Sequence, residues 1–214
     1  MRHEFMNNTI ILVRAGTTVW QEDERLQGTI PLPITGSGQE TLHKIAAVLL
    51  QADPDCLYSS GNESSGASAE FLAKHCKLKS RKIVQLREVN CGLWQGMRIK
   101  DIQSRFNSAY RQWRKDPTSI TPCQGESLDQ VAQRVRQGLD LIQRKNSGKT
   151  VIIVAAHLVS AVIDCILTDT PLEQMWYFAD KETSIRNYTI GESGNISVVE
   201  YNSALEVTPA AAVD

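Results

Sequence analysis

The sequence has no pair of cysteines at C-x-x-C spacing. Its five cysteines (Cys56, Cys76, Cys91, Cys123 and Cys165) are scattered, and no His/Cys/Asp cluster has the spacing of metal ligands. An odd, dispersed set predicts reduced thiols in a cytoplasmic protein. Long hydrophobic runs are missing too. The most apolar window, Val151 to Leu167, is broken by His157, Ser160 and Asp164, which suits a buried strand and helix better than a membrane span. The first residues, MRHEFMNN, lack the apolar stretch of a signal peptide. Neither sign of charge dominates: 23 Lys and Arg face 24 Asp and Glu, for a net charge of -1. Nothing global therefore argues for nucleic acid or an acidic membrane surface. No glycine-rich nucleotide loop follows a strand, since the G-x-G at Gly36 and Gly38 is too short, and no repeat or low-complexity block occurs. The expectation is no metal, no organic cofactor, no nucleic acid and no membrane.

What is present is an ordinary globular composition, 42% apolar and 22% charged over 214 residues, enough for a sizeable core. Thr9 to Val13 and Thr150 to Ala155 are continuous apolar runs, the pattern of strands buried on both faces. "CLYSS" (Cys56 to Ser60) and "KIVQL" (Lys82 to Leu86) predict short strands. "NISVVEY" (Asn195 to Tyr201) alternates and predicts a last, half-exposed strand, with a frayed tail "TPAAAVD" beyond it. Apolar spacing predicts helices over Gln39 to Gln51 and Glu63 to Cys76, one or two short surface helices in 98–117, and another from about Val159. The clearest helix follows Ser127 and Gln130, which have the S-x-x-Q spacing of a capping box. Gly16 to Gly38 predicts a long loop. Strands alternating with helices point to a three-layer α/β/α sandwich with a mostly parallel sheet, and in such sheets ligands bind at the carboxyl ends of the strands.

That rule selects Arg14 and Ala15, the Ser59 to Ser64 stretch, Arg87 and Glu88, and Ala156 to Leu158. His157 directly follows a buried strand, where a histidine serves as general acid, as anion contact, or as a structural side chain bonded to a backbone carbonyl. Arg14 at the end of another buried strand calls for an anionic partner, either a ligand or Glu88 in an ion pair. Glu88 follows Leu86, the predicted end of a third strand. Three polar groups on three strand ends point to one pocket.

The motifs go further. "LVRAGTT" resembles the L-V-R-H-G-x-T signature of the histidine phosphatase superfamily, the phosphoglycerate mutase-like fold. "RLQGTIPLPITGSG", "LYSSGNESSGASAEFLA", "LREVNCGLWQG", "QGESLDQVAQRV" and "VIIVAAHLVSAVI" are similar to that family's successive motifs, in its order, over nearly the whole chain. The resemblance implies one phosphoglycerate mutase-like domain over 1–214, with a helical cap insertion at about 97–126. It also implies a catalytic phosphohistidine, two arginines and a second histidine around the phosphate, and the glutamate of "LRE" as proton donor. Arg14, Glu88 and His157 match those positions.

Several other positions depart from the pattern. The nucleophile position is Ala15 and the second arginine position is Ser64. Gln21 stands for the usual asparagine, Gly61 for the proline of "SSP", Leu158 for the glycine after the second histidine, and Pro31 for the loop's common aspartate. Alanine cannot attack phosphorus or hold a phosphoryl group. A single alanine there would suit an engineered trap, but the accompanying departures favour natural loss. Thr17, Thr18, Ser59, Ser60, Ser64 and Cys91 are the remaining nucleophiles, with no activating base evident; Cys91 reads as packing.

Two function classes stay open. One is a pseudoenzyme that binds a small phosphorylated or anionic ligand, or a protein partner, as monomer or homodimer. The other is a phosphomonoesterase or mutase-type enzyme with an atypical site, in which water held by Glu88 or His157 attacks directly.

Overall fold

The TIILVR run becomes strand β1 (Thr9–Arg14), with Ile10 to Val13 wholly buried because both faces of the strand are covered. The computed structural model describes residues 8–61, 63–181, 184–190, 196–201 and 207–209. After β1 come a single helical turn α1 (Val19–Glu22) and α2 (Gly36–Gln51), whose Thr35 hydroxyl accepts from the Gly38 N–H. Next are β2 (Cys56–Ser59), α3 (Glu63–His75) and the short β3 (Ser80–Lys82). Two helices, α4 (Ile99–Arg105) and α5 (Asn107–Lys115), precede the long α6 (Leu128–Lys145). The chain then runs through β4 (Thr150–Ala155), α7 (His157–Leu167), α8 (Met175–Ala179), β5 (Ile185–Ile190), β6 (Ile196–Tyr201) and β7 (Val207–Pro209).

The seven strands form one sheet in the order β3-β2-β4-β1-β5-β6-β7. Alternation in β1 sends Ile10 and Leu12 to one face and Ile11 and Val13 to the other. The first face packs on α6 and α7 through Val131, Val135, Leu139, Val159 and Ile163. The second packs on α2 and α3 through Leu42, Ile45, Leu49 and Leu72. The fold is therefore a mixed α/β sheet flanked by helices, and each fully buried aliphatic side chain contributes about 1.5–3 kcal/mol to it. Helix α6 begins as its sequence predicts, with Gln130 N–H donating to the Ser127 hydroxyl and the Gln130 side chain accepting from Ser127 N–H.

The expected parallel core is the block β3-β2-β4-β1, where β2–β3, β2–β4 and β1–β4 pair parallel; β5, β6 and β7 extend it through the antiparallel pairs β1–β5, β5–β6 and β6–β7. The structure corrects four expectations. The predicted strand at Lys82 to Leu86 ends at Lys82, and Val84–Leu86 winds into a 3-10 turn, so Glu88 follows a turn and not a strand. Helix α7 starts at His157, two residues before Val159, so His157 is its first residue. The strand over "NISVVEY" is not the last, because Val207–Pro209 pairs beyond it and takes Thr208 and Pro209 out of the predicted tail; Ala210 to Asp214 and Asn195 lie outside the described residues. The long loop from Gly16 contains α1, and α2 begins inside it at Gly36.

Candidate functional site

Parallel pairing of β1 with β4 places Arg14 opposite Ala155, and the Ala15 N–H donates to the Ala155 carbonyl at 2.8 Å. Both strands end at this level, where the chain after β4 turns straight into α7. The resulting cavity, about 60 Å³, is lined by Ala15, Gln21, Arg25, Ser64, Glu88, His157 and Leu158, among others. Ala15, Gln21, Ser64, Glu88, His157 and Leu158, all matched to family site positions in the sequence, thus share one cavity. Serine hydroxyls tie the loop after β1 to the helix opposite: Ser68 Oγ accepts from Gly16 N–H at 3.0 Å and donates to the Ser64 carbonyl at 2.7 Å.

Glu88 is buried at the floor. Its Oε2 accepts from Leu158 N–H at 2.9 Å, and its Oε1 accepts from Val159 N–H at 2.8 Å and from Val89 N–H at 2.7 Å. Two of these donors are orphan amides of the first turn of α7, so the carboxylate caps that helix from 70 residues away. Burial pushes the Glu88 carboxyl above the usual carboxylate range, against the pull of the three N–H donors and Arg134. The segment carrying Glu88 is clamped from α6. Arg134 donates to the carbonyls of Gln85, Arg87 and Glu88 and pairs with Glu126, which also accepts from Arg87 and Asn90 N–H.

Arg14, matched to the phosphate pocket in the sequence, does not line the cavity, and neither do Gly61 and Pro31. Arg14 points to the face of Leu12, where its guanidinium donates to the carbonyls of Lys181 (2.9 Å) and Phe178 (3.2 Å) at the end of α8. The ion pair with Glu88 is not formed. Burial and the neighbouring Arg186 lower Arg14 to about 10. Arg186 faces Leu12 across β1–β5 and forms a buried pair with Asp164 at 2.6 Å, while the Tyr188 hydroxyl donates to the other Asp164 oxygen. Burial lifts Asp164 to about 6. Burial also drives His157 down to about 3, with Arg14 adding to the effect, so its imidazole is neutral at physiological pH.

None of the hydroxyls weighed as substitute nucleophiles is hydrogen-bonded to the His157 ring or to Glu88 among the described residues. Thr18 Oγ1 donates to Gln27 Oε1 at 2.7 Å, and Ser60 is bonded to Ser65. The Cys91 thiol is buried and raised far above its ordinary value, consistent with packing.

The cavity residues from Arg25 to Gly28 were not marked as site residues in the sequence. Arg25 lines the wall with Nη1 bonded to the Gly96 carbonyl at 2.8 Å. Leu26, Gln27 and Gly28 follow it; Gly28 has φ +61, and a Cβ there would clash with the Gln95 side chain. Their signal, "RLQG", was visible, and its arginine could have been marked as a cation.

Fold and site together define an α/β protein of the phosphoglycerate mutase-like kind, with its cavity at the strand ends. The chain belongs to the histidine phosphatase superfamily (branch 1), whose family pattern matches residues 10–203. Among curated relatives it is similar to phosphoserine phosphatase 1 of Hydrogenobacter thermophilus, 25% identical over 187 residues, 87% of this chain and 89% of that one. It is also similar to a metal-independent phosphoserine phosphatase of Arabidopsis thaliana, 31% identical over 148 residues, 68% of this chain and 62% of that one. Among solved structures, mycobacterial glucosyl-3-phosphoglycerate phosphatase shares the fold with a TM-score of 0.80 at 22% identity, over 91% of this chain and 98% of that one. The relatives are phosphatases or mutases by name.

Proposed function

We propose that this chain is a histidine phosphatase-fold protein that has given up phosphohistidine catalysis and keeps its cavity to bind a small anionic or phosphorylated ligand, or a protein partner, in the cytoplasm. The observation that carries this reading is Ala15 on the cavity wall, at the position the family resemblance gives to the nucleophile. Three further features support it. Arg14 spends its Nη groups on α8 carbonyls, Ser64 offers no cation, and the Glu88 oxygens are engaged with backbone N–H groups. The cavity of about 60 Å³ is also far smaller than the roughly 300–1,000 Å³ usual for ligand sites, so it suits waters or a small anion. The cation on its wall is Arg25, already engaged by the Gly96 carbonyl and by Asp23, which favours weak anion binding. In this reading α4 and α5 cover the site as a cap, and the protein is a monomer or homodimer.

The test is turnover of the unaltered chain on p-nitrophenyl phosphate and a panel of phosphomonoesters. Background rates support the proposal. Turnover of about 1 s⁻¹, within the ordinary enzyme range, that vanishes in His157→Ala overturns it.

A further inference from the structure

We infer that His43 and His75 form a divalent-metal site that links α2 to α3 on the helical face away from α7. His43 lies on α2 and is exposed; His75 ends α3 and is half-buried. Their ring centroids are 5.7 Å apart with planes at 86°, and Phe71 is wedged against both, at 4.7 Å from His43 and 4.3 Å from His75. Two imidazoles bound to one tetrahedral zinc have centroids roughly 5 Å apart, from a metal–nitrogen bond of about 2 Å and a further 1 Å or so to each ring centre. The observed separation is therefore already close to a chelating one.

The second observation concerns the ring nitrogens. His75 Nδ1 lies 2.8 Å from the Phe71 carbonyl, an acceptor, so Nδ1 carries the proton and Nε2 holds the free lone pair. A histidine whose other nitrogen donates to a backbone carbonyl has the second-shell arrangement typical of metal ligands, with tautomer and ring orientation set in advance. His43, exposed and free to turn about its broad χ2, can bring a nitrogen lone pair toward His75 Nε2. The described residues contain no cluster of three or more His, Cys, Asp or Glu side chains, so the protein supplies two ligands and water completes the shell. Neutral imidazole pairs favour zinc and its borderline neighbours over magnesium or calcium. Sequence spacing hides such a site because its two ligands come from different helices.

The test is calorimetric titration of the untagged chain with zinc chloride, alongside thermal unfolding and the imidazole NMR signals of the four histidines. One equivalent of zinc should bind, shifting the His43 and His75 ring signals together. At a hundredfold excess over the dissociation constant it should raise the unfolding midpoint by about 5 °C. His43→Ala and His43→Gln, at an exposed position, should each weaken binding at least about tenfold, and His75→Ala likewise, while His3→Ala and His157→Ala leave it unchanged. The inference is overturned if no binding appears up to about 1 mM zinc, if His43→Gln binds as tightly as the parent, or if His3→Ala removes the binding.

Discussion

The carboxylate of Glu88 lies 2.9 Å from the Leu158 amide nitrogen and caps the helix that opens with His157. A residue in the place of a family proton donor thus performs a structural task. Glu88→Ala leaves three buried N–H groups without an acceptor and should cost about 3 kcal/mol of stability. Glu88→Gln keeps one carbonyl acceptor and should lose about half as much. Urea unfolding of both variants checks this, and an Ala variant as stable as the parent contradicts the cap.

Asp164 and His157 make opposing contributions to pH dependence. From about pH 4 to 6 the folded chain holds a proton on Asp164 that the unfolded chain has released, so this group makes stability fall as pH rises. Over the same window the folded chain lacks on His157 a proton that the unfolded chain takes up, so this group makes stability rise with pH. The pair nearly cancels. Asp164→Asn should therefore uncover a stability that climbs with pH, by at most about 1.4 kcal/mol per unit, and His157→Gln should uncover the reverse slope. Denaturant unfolding at pH 4, 5 and 6 measures both, and variant slopes equal to the parent's contradict the assignment.

Under the proposed loss of phosphohistidine catalysis, restoring the chemistry needs more than one residue. Ala15→His alone should leave phosphatase turnover near background, because Ser64 supplies no guanidinium to the transferring group. Ala15→His with Ser64→Arg should exceed the product of the single effects by about tenfold or more, since nucleophile and clamp act as a unit. Initial rates on p-nitrophenyl phosphate decide, and simple additivity counts against the proposed loss.

The clamp from α6 is the other stabilising device at the site. Arg134→Met leaves Glu126 largely buried without its bidentate partner and should cost about 3 kcal/mol. Arg134→Met with Glu126→Gln should recover part of that loss. Thermal or urea unfolding of the single and double variants measures the coupling.

Much of this was legible in the sequence. The continuous runs of β1 and β4 and the Ser127–Gln130 box declared themselves because local chemistry determines them. Strand β5 did not, because Arg186 and Asn187 interrupt its apolar pattern and only the buried Asp164 partner makes Arg186 tolerable there. The start of α7 was misplaced for a similar reason. Ala156 has no capping side chain, and the cap arrives from Glu88, which no local rule can see. Of the candidate site, Ala15, Ser64, His157 and Leu158 converge as the strand-end rule implies, and Gln21 and Glu88 join them from a helical turn and a 3-10 turn as the family resemblance implies, whereas Arg14 turns to α8, since a strand's alternation sets its face but a motif does not reveal its partner.

The turning of Arg14 toward α8 bears on how this chain carries its ancestry. Arg14 and Glu88 are bonded to the scaffold's own backbone, so replacing either one harms folding whatever becomes of catalysis. Ala15 and Ser64 contribute no side-chain hydrogen bond among the described residues, so mutation at those two positions meets no such resistance. In a lineage that drops the reaction, the signature therefore erodes unevenly: letters that brace the architecture persist as an inherited watermark, and letters that served only the chemistry fade first.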